Sequence, residues 1–166
     1  MISRATILVL LGWALFSTAP AIAKDMRFPE SGNPAFSFRM PDDWTSRKDD
    51  VGNLLLSSGD RSTGFSLSLV DSSQSLDDFA NGALGVAKAD DNRVRAVVSI
   101  SGFPGVSYTT TMMNPSGVKL RVKMVVVRPD KTHIASCTKI EADNNSAEQR
   151  KVAETVLQSM TLSAAP

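Results

Sequence analysis

The residues best suited to proton transfer, nucleophilic attack or soft-metal ligation are a lone histidine, His133, and a lone cysteine, Cys137. They lie four positions apart in a segment that alternates like a strand. Four residues of strand put them on one side of a sheet but about 13 Å apart. That separation rules out a shared metal and a direct proton transfer, and zinc needs three or four ligands. His133 therefore reads as a structural or surface residue. Cys137 sits between Ser136 and Thr138, with Lys139 the nearest positive charge on its face in that strand. A reactive thiol needs a positive, partly exposed setting, whereas a free cysteine ordinarily behaves as a small buried hydrophobe. Burial is the favoured reading.

The remaining chemistry-bearing residues do not assemble into a motif. Asp42-Asp43, Asp49-Asp50 and Asp90-Asp91 lack the D-x-D-x-D-G loop and distal glutamate of a calcium site. They fall at turns and helix ends, where aspartate serves the backbone. The serines Ser57, Ser58, Ser66, Ser68, Ser72, Ser73 and Ser99 include no G-x-S-x-G elbow. Gly102-Phe103-Pro104-Gly105 lacks the lysine and following helix of a phosphate loop. The sequence thus predicts no catalytic residue, no metal and no cofactor.

Two patterns are compatible with a partner. Lys119, Arg121 and Lys123 alternate along one strand and share a face. They form a basic stripe for an acidic protein or an anionic headgroup, or else a solvated face that blunts a sheet edge. Met112, Met113 and Met124, with Trp44, Phe103 and Tyr108, would line an adaptable apolar groove, or pack as ordinary core.

These residues are carried by a chain that opens with a secretory signal. Arg4 precedes an apolar run from Ile7 to Phe16, and Ala21-Ile22-Ala23 is an A-x-A cleavage site. Residues 1–23 read as a cleaved signal peptide, with Lys24 as the mature start and a periplasmic or secreted destination. Cleavage removes Arg4 alone among the charged residues, leaving 17 Lys and Arg against 17 Asp and Glu. A chain of zero net charge offers no broad electrostatic attraction to nucleic acid. No later apolar run reaches transmembrane length, so no integral membrane segment is expected after cleavage. One cysteine excludes an intrachain disulfide.

Residues 24–34, with Pro29, Gly32 and Pro34, read as an extended N-terminal arm. A single domain follows over 35–162, with a short tail at 163–166. Within it Phe36 to Met40 alternates as a half-buried strand, and Pro41 to Trp44 turns. Asn53–Ser58 and Gly64–Val70 are strands around a Gly59-Asp60 hairpin. Helical spacing of Leu76, Phe79, Ala80, Ala83, Leu84 and Ala87 follows an N-cap at Ser75. Strands then run over Arg93–Ile100, Val106–Met112, Val118–Val126 and Thr132–Lys139. In the first of these, Val94, Ala96, Val98 and Ile100 share one face. A final helix runs from Ala147 to Met160, opened by the capping box Ser146/Gln149. Its apolar stripe is Val152, Ala153, Val156, Leu157 and Met160. The class is α+β, with an antiparallel sheet covered by helices.

This succession resembles the PsbP-like superfamily. The resemblance rests on Phe36-Ser37-Phe38-Arg39-Met40-Pro41-Asp42-Asp43-Trp44, on Ser75-Leu76-Asp77-Asp78-Phe79-Ala80 opening the first helix, and on the meander closed by Val156 to Met160. It spans Ala35 to Leu162. Members of that superfamily include extrinsic photosystem II proteins, a nuclear-import factor that binds the Ran GTPase, and exported bacterial proteins of the DcrB type. The resemblance implies a central antiparallel β-sheet sandwiched between helices. It implies no single activity and transfers no site residue. The expected function is an exported, non-enzymatic binding or accessory protein of the cell envelope with a protein or peptide partner. The alternatives are a small-molecule or lipid carrier with an apolar cavity between sheet and helix, and a hydrolase whose groups gather only on folding.

Overall fold

The computed structural model describes residues 23–164, so most of the signal segment lies outside the described residues. The chain after it runs β1 (Ala23–Phe28), β2 (Ala35–Pro41), β3 (Thr45–Lys48), β4 (Leu54–Ser57), β5 (Thr63–Asp71), α1 (Leu76–Val86), β6 (Val94–Ile100), β7 (Phe103–Met113), β8 (Lys119–Val127), β9 (His133–Ala142), α2 (Ala147–Gln158) and β10 (Thr161–Ser163). Seven strands form one sheet in the order β3-β4-β5-β9-β8-β7-β6, and β1-β2-β10 form a second, smaller one. Every strand pair is antiparallel.

Both helices begin where local chemistry starts them. The Ser75 side chain accepts from the Asp78 N–H at 3.1 Å. Ser146 and Gln149 exchange both bonds of a capping box, which satisfies two orphan donors. Ala80 and Leu84 of α1 bury against Val106, Tyr108, Val122, Met124, Val126 and Ile134 on one face of the large sheet. The other face carries Leu54, Leu56, Phe65, Leu67, Val125, Val127, Ala135 and Cys137.

That second face departs from the expected helix sandwich. It is covered jointly by the small sheet, through Phe28, Phe36, Phe38, Met40 and Leu162, and by α2 through Ala153 and Val156. The expected arm supplies part of this cover. Lys24 pairs with Met40 and Phe28 with Phe36, so half of the segment 24–34 is a strand. Thr161–Ser163 closes the other side of β2. In α2 the stripe narrows: Val152 is exposed, while Ala153 and Val156 are buried, and the helix ends at Gln158, so that Met160 is buried beyond its cap rather than within it. Strand β6 also differs from a buried strand. It is an edge of the large sheet, and Val94 and Val97 are 68% and 78% exposed.

Gly105 in β7 shows how closely the strands approach. A Cβ there would lie 2.4 Å from Val127 Cγ1 and 2.6 Å from the Val126 carbonyl oxygen. Backbone on a central strand cannot yield as a flexible side chain would. Gly105→Ala is expected to destabilise by about 1–3 kcal/mol through overpacking. Urea unfolding measures this directly; an unchanged midpoint would show that β7 and β8 separate freely.

Candidate binding surface

The register of β6, β7 and β8 places the basic stripe on the sheet face opposite α1. Lys123 stands beside Thr109 and Val94, Arg121 beside Thr111, and Lys119 beside Met113. This is the face that β1, β2, β10 and α2 cover farther along, but here the cover stops. Val94 and Met113, the latter 56% exposed, lie open beside the bases. The region is an exposed antiparallel face of valine, threonine and methionine edged by cations.

The three bases are not equivalent. Arg121 Nε reaches Asp143 Oδ1 at 2.7 Å, and the Arg121 hydrogen bond holds the Asp143 carboxyl below its ordinary range. Among the described residues, Lys119 and Lys123 make no ion pair. They lie four residues apart on a strand, or about 13 Å, which suits two contacts along an extended acidic segment. The next cation across the sheet, Lys139, pairs in register with Lys123. It is buried, 3.3 Å from Glu141 Oε2 and 3.6 Å from Glu154 Oε2 of α2. The Glu141 oxygen has no hydrogen-bond partner. Its contact with Lys139 is close but misaligned, and so is Coulombic only.

The other candidate residues are dispersed by the fold. His133 is held between two carboxylates, with Nδ1 2.7 Å from Asp130 Oδ2 and Nε2 3.2 Å from Asp71 Oδ1. Burial pushes the Asp130 carboxyl up. Hydrogen bonds from Thr132 and His133 outweigh it and bring Asp130 to about 2. Cys137 faces Leu67 on the neighbouring strand, and its thiol lies 3.5 Å from the Met160 sulfur. Burial pushes that thiol up to about 12, which leaves it protonated and unreactive at neutral pH. Asp49 accepts from the N–H groups of Val51 and Asn53 at 3.1 and 2.8 Å, a turn-forming role. Ser68 and Ser136 hydrogen-bond to each other at 2.7 Å. Trp44 packs on Phe65 with ring centroids 5.8 Å apart in one core, whereas Tyr108 and Met124 belong to the other. Met113 lies on the open face. These aromatic and methionine residues therefore line no common groove. Among the described residues no group of three or more potential ligands is placed to hold a metal. Nor, among the described residues, is any helix long and apolar enough to cross a membrane.

A polar cluster that the sequence reading did not single out joins α1 to the sheet edge. Arg95 grips Asp77 with Nε at 2.7 Å and Nη2 at 3.0 Å, and the Tyr108 hydroxyl donates to the same carboxylate. Arg95 first and Tyr108 second hold Asp77 at about 2. Its one sequence signal is Asp77 in the first helical turn; that Arg95 stands opposite Tyr108 is a matter of strand register. Asp60 is likewise held at about 2, by Ser58 and by the Ser62 N–H and hydroxyl. These three folded values lie below the ordinary aspartate value of about 3.9. The unfolded chain therefore takes up protons first as the pH falls. The stabilisation is complete above the unfolded value and is lost as pH falls toward the folded one, between about pH 4 and pH 2. Thermal unfolding across that window should show a falling midpoint, with a shallower fall in Asp77→Asn. A flat profile would contradict the assignment.

Surface clefts flank the small domain features. One of about 590 Å³ lies over β3–β5 and is lined by Arg47, Leu55, Arg61, Ser66 and Ile140 among others. Another of about 410 Å³ lies at the start of α2 beside Trp44, Asp60 and Gln149. Both have mixed polar and apolar linings.

No protein-family model matches the sequence, and no curated protein matches it. Solved structures do. The cyanobacterial PsbP (CyanoP) of Synechocystis superposes with a TM-score of 0.60 at 10% identity, over 88% of this chain and 95% of its own. LpqN of Mycobacterium tuberculosis, a protein involved in cell envelope biogenesis, superposes with a TM-score of 0.54 at 12% identity, over 85% and 91%. A protein of Bacteroides thetaiotaomicron gives a TM-score of 0.51 at 18% identity, over 76% of this chain. The match spans only 44% of that longer protein. The described residues therefore have the PsbP-like fold, in a sheet-dominated α+β form with two helices among them.

Proposed function

We propose that this protein is an exported, non-enzymatic accessory protein of the cell envelope, binding a protein partner through the open face of β6–β8. The observation that carries the reading is the uncovered sheet surface on which Lys119 and Lys123, without an ion pair among the described residues, flank Arg121, beside exposed Val94 and Met113. Apolar area edged by a row of cations suits an extended acidic segment. Export is supported by the signal-like residues 1–23 and by the likeness in fold to LpqN, which is involved in cell envelope biogenesis. The mature chain then starts at Lys24, with β1 intact from that residue onward.

The test is in-cell crosslinking of the tagged full-length protein, followed by mass spectrometry. Wild type should repeatedly capture one envelope protein, and Lys119→Glu/Lys123→Glu should lose it. Equal capture by both proteins would remove the face from consideration. Turnover in a broad hydrolase screen, abolished by one substitution, would overturn the non-enzymatic reading. The intact mass of the exported protein should correspond to a chain beginning at Lys24.

A further inference from the structure

The edge strand β6 has a pattern that matches itself. An antiparallel pairing of two copies about Val97 sets Val97 against Val97, Ala96 against Val98, Val94 against Ile100, and Arg95 against Ser99. Every apolar residue of the strand meets an apolar residue. Its one charged residue, Arg95, meets a small hydroxyl and is already neutralised by Asp77 in its own chain. No like charges face each other. A two-fold interface requires this kind of self-complementarity, because the same patch must serve both sides.

The other long edge is built differently. β3, at the far end of the large sheet, has only four residues and carries Arg47 and Lys48. In the small sheet, β1 exposes Lys24 and Asp25 and includes Arg27. Short length and charge are the usual protections of a free edge. β6 instead presents seven residues, with Val94 and Val97 among the most exposed large hydrophobics of the described chain. Such an edge offers unpaired backbone donors and acceptors together with apolar side chains.

We propose that β6 pairs with β6 of a second copy of this chain, joining two large sheets into one continuous antiparallel sheet centred on Val97. The two-fold axis is then perpendicular to the sheet. It sets the open faces of both copies, each with its Lys119, Arg121 and Lys123, on the same side. The basic surface is doubled without a change in either subunit.

Sedimentation velocity over a range of protein concentrations tests this. The wild-type protein should pass from monomer to dimer as concentration rises. Val97→Lys places two ammonium groups in direct cross-strand opposition and should weaken the dimer at least about tenfold, with an unchanged circular dichroism spectrum. Val97→Cys gives an independent check should that variant fail to fold. The axis brings the two new thiols together, so mild oxidation should yield a disulfide-linked dimer. Native Cys137 is fully buried and adds no background. Ser46→Cys, on the opposite edge, should stay monomeric under the same oxidation. A wild-type protein that is monomeric at every concentration would overturn the proposal and leave the edge to an extended segment of another protein. Equal crosslinking by the Val97→Cys and Ser46→Cys proteins would overturn it as well. Neither result bears on whether Lys119 and Lys123 bind an envelope partner.

Discussion

Phe36→Ala should lower the unfolding free energy by about 3–5 kcal/mol, the range for removing a large aromatic from a packed core. Phe36 is 1% exposed. It sits in β2, the middle strand of the small sheet, with Phe28 of β1 in register on one side and Leu162 of β10 on the other. Its ring belongs to the core that also contains Phe65, Leu67, Ala135 and Cys137 of the large sheet and Val156 of α2. The small sheet is held to the large one chiefly by this apolar contact, since the two share no ladder. A domain of this size is stable by only about 5–15 kcal/mol in total, so the loss is a large fraction. Urea unfolding of the variant should show a much lower midpoint. Val86→Ala, at an 88% exposed position, should stay within about 0.5 kcal/mol of wild type. A loss below about 1 kcal/mol for Phe36→Ala would mean that the small sheet is not integral to the core.

What was legible in the sequence is what neighbouring residues decide. The Phe36–Met40 alternation, the Ser75 cap and the Ser146/Gln149 capping box depend on side chains within a few positions of one another. The pairing of β5 with β9 does not. Alternation assigns each residue to a face but says nothing of which strand lies alongside or what covers that face. The residues of β6 alternate as expected, yet its position at an edge leaves Val94 exposed. β10 is three residues long, too short for any period to show. The basic stripe illustrates the same division. Alternation puts Lys119, Arg121 and Lys123 on one face, whereas the partner that engages Arg121 is Asp143, beyond the end of β9. The Arg95–Asp77–Tyr108 cluster also needs three separate elements to meet. In each case the missing information is a non-local contact.

Lys139→Met should destabilise by about 3–5 kcal/mol, the usual cost of leaving a buried carboxylate without its cation. Lys139 and Glu141 are 8% and 6% exposed, and both lie on the face covered by α2. Glu154 approaches the same ammonium from α2 but is partly open to solvent. The isolated charge left behind is therefore that of Glu141. The cation adds no hydrogen bond to Glu141 Oε2, so the native cluster is not an efficient stabiliser compared with apolar packing. This distinction separates two variants. Lys139→Met alone keeps the desolvated carboxylate and should carry the full loss. Lys139→Met/Glu141→Leu removes both charges and should recover most of it, because apolar replacement of a buried pair is often neutral or stabilising. Urea unfolding of the two proteins decides the matter. Recovery in the double variant identifies the buried charge as the source of the loss. A double variant as unstable as the single one would instead assign the loss to the packing of the lysine stem beneath α2.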